Sequence, residues 1–202
     1  MAYSKISLFR FIFFTIFLFN LGMSMDKSDY ATVGGGCFWC IEAVYQRIDG
    51  VISVTPGYAG GKSKTTTYKE VCKGTTGHAE VAKIEYDSNI ITFEQILNVF
   101  WQAHDPTTLN RQGNDIGTQY RSAVFYDSKN EKEIIDRVIN NIQNEALFEN
   151  PIITQISPIA KFYIAEDEHL NYYETNTQNP YCQAVISPKI NKFLKEYKSI
   201  LK

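Results

Sequence analysis

The residues most able to do chemistry lie in Gly34-Gly35-Gly36-Cys37-Phe38-Trp39-Cys40, where two thiols stand three positions apart behind three glycines. Tyr30-Ala31-Thr32-Val33 before the glycines reads as a short strand, and Ile41, Val44, Tyr45 and Ile48 after them repeat at helical spacing. Cys37 is therefore expected at a strand-to-helix turn, beside free backbone N–H groups and the positive end of a helix dipole. That setting favours thiolate over thiol, so a lowered Cys37 pKa and a nucleophilic sulfur are expected. The glycines let a substrate approach the main chain closely. The plainer alternative is a cysteine packed as a small hydrophobe, the usual state of a free thiol. The glycine run and the aromatic pair weigh against it.

A nucleophile of this kind needs an acid. In the stretch opened by Gly77-His78-Ala79-Glu80, Ala82, Ile84 and Tyr86 share one face of a strand and Lys83, Glu85 and Asp87 the other. Glu80 has the parity of the apolar face, where a carboxyl group is desolvated and keeps its proton near neutrality. If the strand starts at Val81 instead, Glu80 is a solvated loop residue, and parity alone leaves both readings open. Thr107 to Thr118, with Gly113, Asn114, Asp115 and Gly117, is a long polar connection of the kind that often carries function. The remaining thiols are Cys72 and Cys182. Cys72 reads as a structural helix cysteine, and His78 as a hydrogen-bonding residue at a strand entry.

These residues need a frame. The pattern predicts a helix over 38–48, a strand at Val51 to Val54 broken by Pro56-Gly57, and a short helix Tyr68 to Cys72 capped from the threonines at 65–67. Next come the Glu80 strand and an amphipathic helix from Thr92 to His104. A central strand Gln119 to Tyr126, a helix Ser128 to Phe148 and a strand Ile152 to Ile156 follow. Phe162 to Ile164 is a short apolar run, Asp167 to Thr175 is expected as helix, and Asn179 to Cys182 as a turn. Pro188 to Leu201 again has helical spacing. The order β-α-β-β-α-β with extra helices and a C-terminal tail reads as an α+β two-layer sandwich. Residues 25–202 are expected to form one domain.

With 44% hydrophobic residues, a net charge of -2 and no basic stripe, the chain has material for one sizeable core and gives no footprint of nucleic-acid binding. Residues 1–24 are separate. Lys5 and Arg10 precede an apolar run from Phe11 to Leu21, and Gly22-Met23-Ser24 offers small residues where a signal peptidase cuts. A secretory signal peptide and export to the periplasm or beyond are expected. The competing readings are an uncleaved anchor, or a mis-assigned start with Met23 or Met25 as initiator and a cytoplasmic protein.

Gly-Gly-Cys-Phe-Trp-Cys, Gly-Tyr-Ala-Gly-Gly, Thr-Tyr-Lys-Glu-Val-Cys-Lys-Gly-Thr-Thr-Gly-His-Ala-Glu and Gly-Asn-Asp-Ile-Gly-Thr-Gln-Tyr-Arg-Ser occur in that order. Together they resemble the peptide methionine sulfoxide reductases of the A type, over Tyr30 to Ile156 and more weakly beyond. The resemblance implies a ferredoxin-like core and reduction of methionine S-sulfoxide, free or in proteins, without a cofactor or metal. It implies Cys37 as nucleophile, Phe38 and Trp39 around the substrate methyl group, and Glu80 as proton donor to the sulfoxide oxygen. It further implies Tyr68 and Tyr120 as phenols hydrogen-bonded to that oxygen, Asp115 as a loop acid that orders the site, and a thioredoxin-like dithiol as reductant of a monomeric enzyme. Many members have glycine where this chain has Cys40, and Cys182 matches C-terminal cysteines that often resolve the sulfenic acid. Cys182, in a turn able to move, is favoured as resolving thiol over Cys40, which is fixed one helical turn from Cys37; a relay through both is the third option.

Two readings of other classes compete. Cys37-Phe38-Trp39-Cys40 could serve as the dithiol of a thioredoxin-like oxidoreductase, which leaves Glu80, Tyr68 and the 114–120 loop without a task. Cys37, Cys40, Cys72 and His78 could hold zinc, although their spacing does not repeat that of a compact zinc site.

Overall fold

The computed structural model of the chain describes residues 28–64 and 66–202. The expected signal peptide, residues 1–24, lies outside the described residues. None of the described helices is long and apolar enough to cross a membrane.

The fold is a mixed sheet with helices. Its strands are β1 (Ser28–Gly34), β2 (Val51–Ala59), β3 (Ala79–Asp87), β6 (Ala123–Tyr126), β7 (Gln155–Pro158) and β8 (Phe162–Ile164). A two-residue hairpin, β4 (Arg111–Gln112) with β5 (Asp115–Ile116), stands apart. The six strands lie in the order β7-β6-β1-β3-β2-β8; β6 and β7 are parallel and every other pair is antiparallel. The helices are α1 (Phe38–Tyr45), α2 (Tyr68–Cys72), α3 (Phe93–Ala103), α4 (Lys129–Asn144), α5 (Tyr172–Thr175) and α6 (Ser187–Glu196).

One face of the sheet carries the main core. Val33, Val54 and Ile84 from the strands meet Ile41, Val44 and Tyr45 of α1, Ile96, Leu97 and Phe100 of α3, and Ile135 and Val138 of α4. The alternation read in β3 is realised: Ala82, Ile84 and Tyr86 are buried, while Lys83 and Glu85 turn to the other face, where Glu85 accepts from Ser53 Oγ at 2.8 Å. Capping boxes start α2 at Thr67–Glu70 and α3 at Thr92–Gln95, so each helix begins where a hydroxyl satisfies its first amides.

Several elements depart from the sequence pattern. The strand expected at Ile152 to Ile156 is shifted to Gln155–Pro158, and the helix expected over Asp167 to Thr175 is split by left-handed Asn171 into a 3-10 turn, Asp167–His169, and α5. β2 does not stop at Val54 but runs through Pro56-Gly57 to Ala59. Pro56 O accepts from Ala165 N at 3.0 Å. In a strand the N and O of one residue face the same neighbour, so the missing N–H of Pro56 falls on the side of the short edge strand β8 and not on β3. At Gly57 a Cβ would sit 2.4 Å from the Phe162 ring and the Tyr163 carbonyl, so glycine there admits β8. The strand expected from Gln119 starts only at Ala123, because Thr118–Tyr120 is a 3-10 turn whose first carbonyl binds Arg121 Nη1 at 2.8 Å. α1 ends at Tyr45 and Ile48 instead makes a bridge to Leu201. Cys182 is not in a turn: residues 180 and 181 are helical, Cys182–Ile186 is a π turn, and the helix continues as α6.

Candidate active site

α1 carries the centre. Cys37 is its N-cap residue in extended conformation, and Gly36 before it has φ 92°. A Cβ on Gly36 would lie 2.7 Å from Gln112 Cγ, so the turn requires glycine both for its backbone and for the loop that packs on it. β3 runs alongside, and Glu80 lies inside that strand, 1% exposed, which decides between the two readings of its parity. Its Oε2 accepts from Phe38 N at 3.1 Å, one of the free amides that open α1. Its Oε1 is buried with no hydrogen-bond partner among the described residues. Burial, followed by the charges of Asp115 and Cys40, lifts Glu80 to about 8 against the Phe38 amide, so it holds its proton at neutral pH.

The two thiols of the first turn are hydrogen-bonded to each other. Burial, then that bond and the Glu80 charge, pushes Cys37 well above its ordinary value; the Trp39 amide acts in the opposite sense and loses. The lowered pKa expected from the helix dipole is therefore not what the resting site has. An eight-residue helix offers Cys37 a partial charge, and desolvation with a neighbouring carboxyl group outweighs it. Cys40 is the lowered thiol: the bond with Cys37 draws it down to about 7 against burial, helped by Lys189 and by the Tyr181 hydroxyl.

The other expected residues gather around this pair. Cys37, Phe38, Cys40 and Cys182 share one buried cluster, against which Trp39, Tyr68, Tyr120 and Tyr181 pack. Tyr68 opens α2 and Tyr120 ends the 3-10 turn. Burial first, and then the Glu80 charge, pushes both phenols up, so both remain donors. Asp115 reaches the site through Tyr181, whose OH donates to Asp115 Oδ2 at 2.7 Å. Cys182 is wholly buried, and its thiol is raised by burial and then by Cys40 nearby. Cys72 is exposed, so it does not fill the core as a structural cysteine would; its thiol bonds the Tyr68 side chain. His78 bonds Gly61 N through Nδ1 at 3.0 Å and meets Ser63 O through Nε2 at 3.1 Å. The described residues bring no three potential metal ligands together.

The aromatic wall is larger than the sequence suggests. Phe38 lies 6.0 Å from Trp39 and 6.2 Å from Tyr68 between ring centroids. Three unforeseen residues complete it. Tyr58 packs 5.8 Å from Phe38, buried His169 lies 4.4 Å from Tyr68 and 5.3 Å from Phe38, and Tyr172 stacks on Trp39 at 3.7 Å and 7°. Glu166 ties them, accepting from Tyr58 OH at 2.9 Å and from Tyr68 N at 2.8 Å. The site thus sets a paired thiol and a protonated carboxyl group at the edge of an apolar aromatic box, with two phenol donors close by. Such a box accepts a small apolar group, and its rim can protonate an oxygen attached to it.

Comparison with known proteins agrees with this chemistry. The chain is 51% identical over 167 residues to the peptide methionine sulfoxide reductase MsrA of Saccharolobus solfataricus, covering 83% of this chain and 93% of that one. To the protein of the same name from Leptospira borgpetersenii it is 52% identical over 167 residues, covering 83% and 94%. The fold is similar to the reduced form of Mxr1 from Saccharomyces cerevisiae, with a TM-score of 0.70, 36% identity and coverage of 77% and 89%. It is also similar to methionine sulfoxide reductase A of Corynebacterium diphtheriae, with a TM-score of 0.65, 35% identity and coverage of 74% and 75%. The family profile described as peptide methionine sulfoxide reductase matches residues 29–201, and the chain belongs to that family.

Proposed function

We propose the following division of labour for the thiol-dependent methionine sulfoxide reduction that this family performs. The S-methyl group enters the box of Phe38 and Trp39, which leaves the sulfur over Cys37 and the oxygen towards Glu80, Tyr68 and Tyr120. Cys37 attacks sulfur while Glu80 gives its proton to oxygen and the phenols support the developing charge. The S–O bond of the substrate breaks, methionine leaves as the thioether, and Cys37 carries the oxygen as a sulfenic acid; two electrons pass from Cys37 to the substrate. The observation that carries this reading is the Glu80 carboxyl group: buried, protonated near neutrality, bonded through one oxygen to the helix that bears Cys37, with its other oxygen unpartnered. Asp115 holds Tyr181 beside the thiol pair.

Resolution follows the hydrogen bond. Cys40, one helical turn from Cys37 and bonded to it in the resting site, attacks the sulfenic sulfur first, forming the disulfide as hydroxide leaves with a proton as water. Cys182, buried in the same cluster and with its thiol shifted by Cys40, follows as a second thiol: it attacks Cys40 of that disulfide, forming Cys40–Cys182 and freeing Cys37 as a thiol. A thioredoxin-like dithiol then reduces the enzyme by exchange. The core order β6-β1-β3-β2 with α1 and α3 as crossovers supports the ferredoxin-like reading, and we take residues 25–202 as one catalytic domain. Export through residues 1–24 would require that reductant outside the cytosol. Fractionation of the mature protein with cytosol and an intact N-terminus would refute export.

The deciding experiment is turnover on separated R and S methionine sulfoxide with a dithiol reductant. The wild type is expected to consume the S epimer and Cys37→Ser neither; equal activity of the two proteins overturns the assignment.

A further inference from the structure

The wall behind Trp39 hangs from a carboxylate that the reaction does not use. Between β8 and α5 the chain crosses α1 as a strap. Glu166 fastens its near end to Tyr58 and Tyr68, and His169 in its middle fills the space between Phe38 and Tyr68. At its far end Asn171 turns into the left-handed region, φ 54°, and gives its backbone N–H to Glu42 Oε1 at 2.8 Å. The next residue, Tyr172, is the one stacked on Trp39. Glu42 stands one turn after Phe38 and Trp39 on α1 and is 1% exposed, in a helix otherwise apolar from Phe38 to Tyr45. Its Oε2 is buried with no hydrogen-bond partner among the described residues. A buried carboxyl group costs stability unless something repays it. Here its bonds go to the corner that sets the position of Tyr172.

We propose that Glu42 is a positioning residue for substrate binding: by holding the Asn171–Tyr172 corner it keeps Tyr172 against Trp39 and fixes the width of the methyl pocket. This rests on Trp39 lining that pocket. The surroundings of Glu42 add a pH dependence. From the turn that follows its helix come Gln46, whose Nε2 gives to Asn171 Oδ1 at 2.6 Å, and Arg47. From α5 come the amide of Tyr172 and the carboxylate of Glu174, which pairs with Arg47 at 2.5 Å. Burial outweighs the amides of Asn171 and Tyr172, and the Glu174 charge adds to it, lifting Glu42 to about 7. Above that value the ionised carboxylate holds the Asn171 amide through a charge-assisted bond with the Tyr172 amide nearby; below it the neutral acid holds it less. Substrate affinity therefore falls as pH drops through 7.

The test uses the full chain with Cys37→Ser, which binds without turning over, and calorimetric titration with L-methionine S-sulfoxide from pH 5.5 to 8.5. With Glu42 intact, Kd is expected to rise several-fold from pH 8 to pH 6. Glu42→Gln, neutral at every pH, should bind several-fold more weakly at pH 8 and lose the limb centred near 7, while the limb owed to Glu80 stays. Glu42→Ala should weaken binding further. If Glu42→Ala does not fold, the pH profile of Glu42→Gln decides. A Glu42→Gln profile that overlays its parent, limb and affinity alike, overturns the proposal. Trp39→Ala in the same background separates the two readings: binding undiminished there refutes Trp39 as pocket wall, whereas lost binding with an unchanged Glu42→Gln profile refutes Glu42 alone.

Discussion

The two sides of α1 are built on opposite plans. On one side lie Cys37, Cys40 and Glu80, with a hydrogen bond between two thiols, a carboxyl oxygen without a partner, and groups brought to about 7 and about 8. On the other lie Trp39, Tyr172, Asn171 and Glu42, where rings stack at 3.7 Å and a backbone corner is bonded down. Both sides bury a carboxyl group at 1% exposure. Each accepts one backbone amide and leaves its other oxygen open, Glu80 beside the thiols and Glu42 at the corner that carries Tyr172. The difference separates a carboxyl group that gives its proton to the reaction from one whose charge holds the wall in place, although only a few residues of one helix lie between them.

Substitutions can break this contrast on the reacting side. Cys40→Ser should remove dithiol-driven cycling and yet leave one methionine formed per enzyme in a rapid-quench experiment. Loss of that first turnover would instead favour Cys37 and Cys40 acting as a dithiol. Glu80→Gln should slow the first turnover by about 10³-fold, as loss of a general acid does, with the thiol still alkylated by iodoacetamide. Tyr68→Phe and Tyr120→Phe should each cost roughly 10-fold in the same step, below the 10²–10³ for a sole oxyanion donor, because the other phenol still donates. A double variant no slower than either single one would show that only one phenol meets the oxygen.

Stability gives the gentlest comparison. Both carboxyl groups have folded-state pKa values above that of the unfolded chain, so between the two values the folded protein holds more protons. Stability from these groups is then present at acid pH and lost as pH rises, up to about 8 for Glu80 and about 7 for Glu42. Each tenfold difference in proton affinity between the folded and unfolded chain is worth roughly 1.4 kcal/mol, so the losses are a few kcal/mol, larger for Glu80. Urea unfolding from pH 5 to 9 should show a shallower decline in Glu80→Gln than in Glu42→Gln, and both shallower than wild type. Parallel curves for all three would contradict the placement of the buried charges.

Much of the reacting side was legible because its signals are local. Glycines before a cysteine mark a turn, and alternation in β3 gave Glu80 its inward parity. The holding side was not. His169 and Tyr172 sit in Ala165-Glu166-Asp167-Glu168-His169-Leu170-Asn171-Tyr172, which has no periodicity and reads as polar helix. Their partners are about 100 residues away or more, at Tyr68 and Trp39. One signal was there to read: Glu42 is the lone charge in an otherwise apolar helix, and a helix apolar on all sides has no solvated face for it. At Pro56 the sequence misleads, because a breaker is harmless when its missing N–H faces a sheet edge. For Cys37 the dipole argument was sound in kind and too small in size against desolvation.

The last residues of the chain act as a clasp. Asp49 N bonds Ile200 O at 2.8 Å and Lys202 N bonds Arg47 O at 3.0 Å, so the tail is tied to the turn where the nucleophile's helix ends. The helical stretch that begins beside Cys182 is thus held at its far end by the three residues 200–202. Anyone handling this enzyme meets that fact in practical form. Deleting residues 200–202 opens the clasp and frees the segment carrying the third thiol, with no residue of the site altered.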